Sequence, residues 1–226
     1  MAGAVAAAAA RLLRLLPALL LAWLCLRAAE LITALPPGSA PVAVLRVTVR
    51  ALVDDSYALA RHLPLLFLYS LPPLLLRSPG AQRWCLGVAW SLLVALQAAL
   101  IQYSTSARVP LGADLYAYSW RDVSQTVGAG LQPAPAIVAG TLLALVALWR
   151  ALAHLLRHEP GRAARVVTPL TASGLIAAAL ALMLIGPPGL PQWNGESEDA
   201  YSLRLNKIAF FFDDSVRFVW HESAPA

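Results

Sequence analysis

Lysine is almost missing from this chain: Lys207 is the only one in 226 residues. Charge of either sign is scarce, at 13% of residues, where a soluble domain carries roughly a quarter. Cysteine is limited to Cys25 and Cys85, both inside apolar runs and neither with a second cysteine or a histidine at ligand spacing. These shortages exclude a disulfide-stapled domain, a cysteine zinc site and a lysine-rich nucleic-acid-binding face. There is no Gly-rich phosphate loop and no Gly-x-Ser-x-Gly elbow, and Ser and Thr lack an evident base partner. The residues therefore predict no cofactor, no metal, no nucleic-acid partner and no complete active site, so the chain is not expected to be an enzyme by itself.

What remains is 59% hydrophobic, with mean hydropathy +0.66. That excess points to a membrane. The length suits one membrane domain with a short tail, without room for a second globular domain. Apolar runs predict five transmembrane helices, at about 12–35, 57–76, 84–104, 134–154 and 166–185. Twenty residues at about 1.5 Å each cross roughly 30 Å of hydrocarbon, and a helix keeps every backbone hydrogen bond internal there. PPGSAP (Pro36 to Pro41), RSPGAQR (Arg77 to Arg83) and HEPGRAAR (His158 to Arg165) separate the runs. Pro64, Pro72 and Pro73 fall inside the second span and predict a kink or a local break. The fold class expected is all-α integral membrane, with residues 1–185 as the membrane domain. Residues 186–226 form a tail whose segment 203–220 has the helical periodicity of an interfacial amphipathic helix.

Arginine placement orients the helices. With the N-terminus inside, Arg11, Arg14, Arg77, Arg83, Arg150, Arg157, Arg162 and Arg165 fall on the cytoplasmic side, against Arg46, Arg50, Arg108 and Arg121 in short outer loops. Five spans then put the C-terminal tail outside. The arginine bias with abundant Ala, Leu and Pro fits a bacterial inner membrane.

The polar residues cluster in the outer segments. Asp54, Asp55, Arg61 and His62 lie at the entry of the second span, where the aspartates suit a helix N-terminus or a polar pocket for a lipid headgroup. In GADLYAYSWR (Gly112 to Arg121), Asp114, Tyr118 and Arg121 could surround a headgroup, Asp114 and Tyr118 sharing a helical face. Asp213 and Asp214 repeat the acidic pair in the tail. Arg27 and Glu30, three apart inside the first span, can pair on one face. Membrane lipids are the partners expected.

The layout, with RAAEL (Arg27 to Leu31), LVDDSYALARHLPLLFLYSLPPLLLR (Leu52 to Arg77), GADLYAYSWRD (Gly112 to Asp122) and SLRLNKIAFFF (Ser202 to Phe212), resembles the membrane domain of lipoteichoic acid synthase-like enzymes. These are phosphoglycerol and phosphoethanolamine transferases of the sulfatase superfamily. The resemblance implies five helices followed by an extracytoplasmic catalytic domain. That domain uses a metal-bound Thr, or a Cys-x-Pro-x-Arg cysteine in sulfatases. Neither Cys25, followed by Leu-Arg, nor Cys85, followed by Leu-Gly, fits that setting, so no catalytic residue carries over. What is implied is a membrane and lipid-binding module that works with a sulfatase-fold partner or with a missing C-terminal domain. Two alternatives stand beside it. DDSYALAR (Asp54 to Arg61) is similar to the first outer loop of glycosyltransferases that use polyprenyl-linked sugars, which would make this chain a fragment of one. The other is a non-catalytic membrane scaffold.

Overall fold

The computed structural model describes residues 2–35, 38–107, 110–112, 116, 134–157, 168–185 and 198–222. Among them the regular structure is entirely helical: α1 (Ala2–Ala34), α2 (Pro41–Leu74), α3 (Pro79–Ala107), α4 (Pro135–Arg157), α5 (Pro169–Ile185), α6 (Glu198–Arg204) and α7 (Lys207–Glu222). Four of these helices begin at proline, whose missing N–H costs nothing in a first turn and whose fixed φ suits it. Hydroxyls cap two of the starts: Ser78 Oγ accepts from Ala81 N at 3.4 Å and Thr168 Oγ1 from Thr171 N at 3.2 Å. Between α1 and α2, Gly38 sits at φ +84°, a backbone that side-chain-bearing residues rarely adopt.

Among the described residues three helices, against the five spans expected, are long and apolar enough to cross a membrane: Gly3–Ala34, Pro79–Ala107 and Pro135–Arg157. Leu170–Ile185 is a shorter apolar helix. Its residues are apolar all round, yet Leu170, Leu175, Leu184 and Ile185 stand exposed, Ile185 at 86%. A helix of that kind matches a lipid solvent rather than water.

Two elements differ from the sequence reading. Residues 46–55, expected as an outer loop, belong to one continuous α2 of 34 residues, about 50 Å at ~1.5 Å per residue. Nothing between Pro41 and Pro64 interrupts a helix, and VAVLRVTVRALV is compatible with one throughout. Asp54 and Asp55 therefore lie in mid-helix and cap no N-terminus. The α2 assignment also runs through Pro64 and Pro72 to Leu74. The tail segment, expected as one amphipathic stretch, is two helices broken at Leu205 and Asn206.

The chain divides into two compact units. The first comprises Met1–Cys25, Ala60–Ala95 and Thr141–Gly186. Here Gly87 receives the Trp149 indole so closely that a Cβ would meet the ring at 2.6–2.9 Å. Trp149 Nε1 donates to Ser91 Oγ at 3.1 Å, and Trp90 Nε1, fully buried, donates to Ser70 Oγ at 3.0 Å. Arg11 and Arg14 donate to the carbonyls of Leu74 and Leu155, at or near the C-terminal ends of α2 and α4. The second unit comprises Leu26–Leu59, Leu96–Gly140 and Pro187–Ala226, and it holds the polar residues developed below.

Candidate functional site

The break between α6 and α7 leaves carbonyls at one helix end and amides at the next, all needing partners. Asn206 caps α7 with Oδ1, accepting from Ala209 N at 3.1 Å. Gln97 of α3 serves the neighbouring amide, its Oε1 accepting from Ile208 N at 2.9 Å. The carbonyls of Ser202, Leu203 and Leu205 face two cations, Arg27 and Lys207, the charge sign that a helix C-terminus favours.

Arg27 is the hub. Its Nε and Nη2 fork onto the Asp55 carboxylate at 2.9 and 2.6 Å. Its Nη1 donates to Glu30 Oε2 at 2.6 Å and to the Leu203 carbonyl at 2.6 Å, and Nη2 also reaches the Leu205 carbonyl at 3.3 Å. A guanidinium has five N–H groups, and all five are used. Lys207 Nζ donates to the Ser202 carbonyl and to the Leu205 carbonyl at 3.2 Å, and it forms an ion pair with Glu30 Oε1 at 2.9 Å, a buried oxygen that accepts no hydrogen bond. Asn206 Nδ2 donates to Asp55 Oδ1 at 2.9 Å, and Arg204 Nε donates to Asp54 Oδ2 at 3.1 Å. Three cations thus face three carboxylates. Arg27, Glu30, Asp54 and Lys207 are buried, with Glu30 at 1% exposure.

Burial without pairing would be prohibitive for such groups, and pairing in a fixed geometry offsets it. The electrostatic consequences are opposite at two positions. Burial pushes the Asp54 carboxyl above its ordinary range, with Arg204 opposing. Burial likewise pushes the Lys207 amine below its ordinary range, with Glu30 opposing.

Beside the cluster is a cavity of about 100 Å³. Glu30, Ser104 and Ser202, all buried, line it together with the half-buried Thr33, Ala34, Thr105 and Leu203. Three of its hydroxyls donate to carbonyls of their own helices: Thr33 to Ala29, Ser104 to Ile101 and Thr105 to Ile101 and Gln102.

Of the residues singled out in the sequence, the structure unites Asp54 and Asp55 with Arg27 and Glu30. Arg61, buried, and His62, half-buried, belong to the first unit. Asp114, Tyr118 and Arg121 lie outside the described residues. Asp213 and Asp214 sit half-buried in α7, where Tyr116 stacks on Phe218 at 5.3 Å and donates to Ser215 Oγ at 3.0 Å. The sequence reading did not single out Arg204, Asn206, Lys207 or Gln97. A signal existed for Lys207, the chain's single lysine placed beside an apolar run. It also passed over His154 and His158, which are four apart; His158 is outside the described residues. Among the described residues no three or more His, Cys, Asp or Glu gather as metal ligands, and Cys25 and Cys85 are free thiols. No protein family, curated protein or solved structure matches the chain.

Proposed function

We propose that this chain is a five-span inner-membrane module, N-terminus in and C-terminal tail out, that seats and orients a catalytic partner or domain. The system it serves is a phosphoglycerol or phosphoethanolamine transferase of the sulfatase type. One observation carries the reading: the charged cluster ties the tail to the membrane helices. Arg27 and Glu30 of α1, Asp54 and Asp55 of α2, and Arg204, Asn206 and Lys207 of the tail meet in one network. These residues come from three of the strings that carry the family resemblance, RAAEL, LVDDSYALAR and SLRLNKIAFFF. A resemblance spread over distant segments gains weight when those segments converge on one structural device. The device also fits the role, because a buried, ion-paired network serves register and orientation more than it adds stability.

The amphipathic α7 fits beside it. Phe212, Val216 and Val219 are exposed along one side of the helix, as in a helix resting on a bilayer surface. The carboxylates of Asp54 and Asp55 are both occupied by cationic partners, which favours anchoring over a role for either as a catalytic base. The experiment is reconstitution in vesicles of phosphatidylglycerol and phosphatidylethanolamine. The chain alone should release neither glycerol phosphate nor ethanolamine phosphate. Crosslinking from the tail in cell membranes should recover a sulfatase-fold protein whose addition restores release. Turnover by the chain alone, or a crosslinked partner of another class, refutes the proposal.

A further inference from the structure

The cavity beside Glu30 has a chemical character that anchoring does not require. Its Thr33, Ser104 and Thr105 hydroxyls have committed their hydrogens to backbone carbonyls. Each retains acceptor capacity, so the walls offer lone pairs together with the Glu30 carboxylate; only the Ser202 hydroxyl can turn to donate. A wall of acceptors repels phosphate. An ammonium fares little better, because Glu30, although its buried Oε1 accepts no hydrogen bond, is already ion-paired with both Arg27 and Lys207 at 2.6 and 2.9 Å. The surrounding charges balance, so nothing is left to compensate a dehydrated cation. What fits is a neutral group rich in O–H donors. At about 30 Å³ per water, a space of about 100 Å³ takes some three waters or one vicinal diol. Its deepest lining residues are buried and polar, and the half-buried Thr33, Ala34 and Thr105 leave a way in.

We propose that this cavity binds a neutral polyol group and rejects phosphate and ammonium. The polyol is either a free solute or the diol end of a lipid headgroup whose phosphate stays outside the rim. The site is independent of the anchoring role, which needs no ligand here.

The test uses the full chain in phosphatidylcholine nanodiscs and saturation-transfer NMR with glycerol as probe, ethanolamine and methyl phosphate as comparators. Glycerol should receive transfer and the comparators little. Thr33→Val and Ser104→Ala each remove one cavity acceptor at nearly constant volume. Either should weaken the glycerol signal about three- to tenfold, the worth of one net hydrogen bond. Their melting temperatures should stay near wild type, since the lost bond is a helix back-bond. A second arm adds phosphatidylglycerol to the discs. Loss of the glycerol signal, with that lipid enriched on wild type over the variants by native mass spectrometry, identifies the headgroup as the source. A persistent glycerol signal identifies a free polyol. Absence of glycerol transfer overturns the proposal and leaves the cavity to water. Equal transfer in wild type and folded variants, or stronger transfer to ethanolamine or methyl phosphate, also overturns it. None of these outcomes touches the reconstitution test of the anchoring role.

Discussion

Arg27 places five N–H donors on four residues from three segments of the chain, and this saturation makes it hard to replace. Arg27→Met would leave the buried Glu30 and the half-buried Asp55 with less countercharge, an expected loss of about 3–5 kcal/mol. Arg27→Lys keeps the charge but cannot fork onto a carboxylate while serving two carbonyls. It should lose about 1–3 kcal/mol, the worth of charge-assisted bonds. Denaturation in detergent micelles measures both; a wild-type midpoint for Arg27→Met would refute the hub. At Asp54 the balance has a pH signature. Its carboxyl is raised in the folded state, so the protonated form favours folding. That contribution is complete below the unfolded carboxyl pKa of about 3.9 and is lost as pH rises through the folded value. Asp54→Asn should therefore gain stability relative to wild type as pH increases from about 4 to neutrality, and a variant that instead lost stability relative to wild type over that range would show the opposite shift. Part of this chemistry was legible in sequence. Arg27 and Glu30 are three apart in an apolar helix, and a buried cation there demands a partner. Their tail partners were not legible, because local spacing carries no information about a bond between residues 176 apart.

At the scale of elements, long apolar runs made α3, α4 and α5 readable to within about five residues, and α1 at its C-terminal end, while α1 begins ten residues before the expected span. The first half of α2 escaped because Arg46, Arg50, Asp54 and Asp55 resemble loop composition, while helix formation depends on backbone and packing rather than polarity. Thr48→Pro discriminates the two descriptions. In a helix interior it should cost about 3 kcal/mol, whereas a loop would accept it, and thermal melting with far-UV circular dichroism reads the difference. The contact of Gly87 with Trp149 makes a second element-scale case. Gly87→Ala pushes a methyl into the indole, which cannot retreat without straining its bond to Ser91. The expected cost is about 1–3 kcal/mol. Trp149→Phe should be less harmful on the Gly87→Ala background than on wild type, a coupling that a double-mutant cycle reports.

For the whole molecule, three membrane-length helices and an apolar α5 with both ends exposed mean that solubility depends on lipid or detergent. The proposed orientation is checked by reporter fusions: an outward-active reporter should work at Gly38 and after Ala226, and a cytoplasmic signal at either position contradicts it. The arrangement of the cluster also sets a timetable. Arg27 and Asp55 are separated by 28 residues and can meet early. The carbonyls of Leu203 and Leu205 and the amine of Lys207 emerge some 176 residues after Arg27. At ~5–20 residues per second the interval is roughly ten to forty seconds. Throughout it Arg27 is the one cation of the cluster already made, so Glu30, Asp54 and Asp55 share a single countercharge. A chain stopped before Arg204 would lack the cations that pair with Asp54 and, beside Arg27, with Glu30, leaving the cluster unfinished.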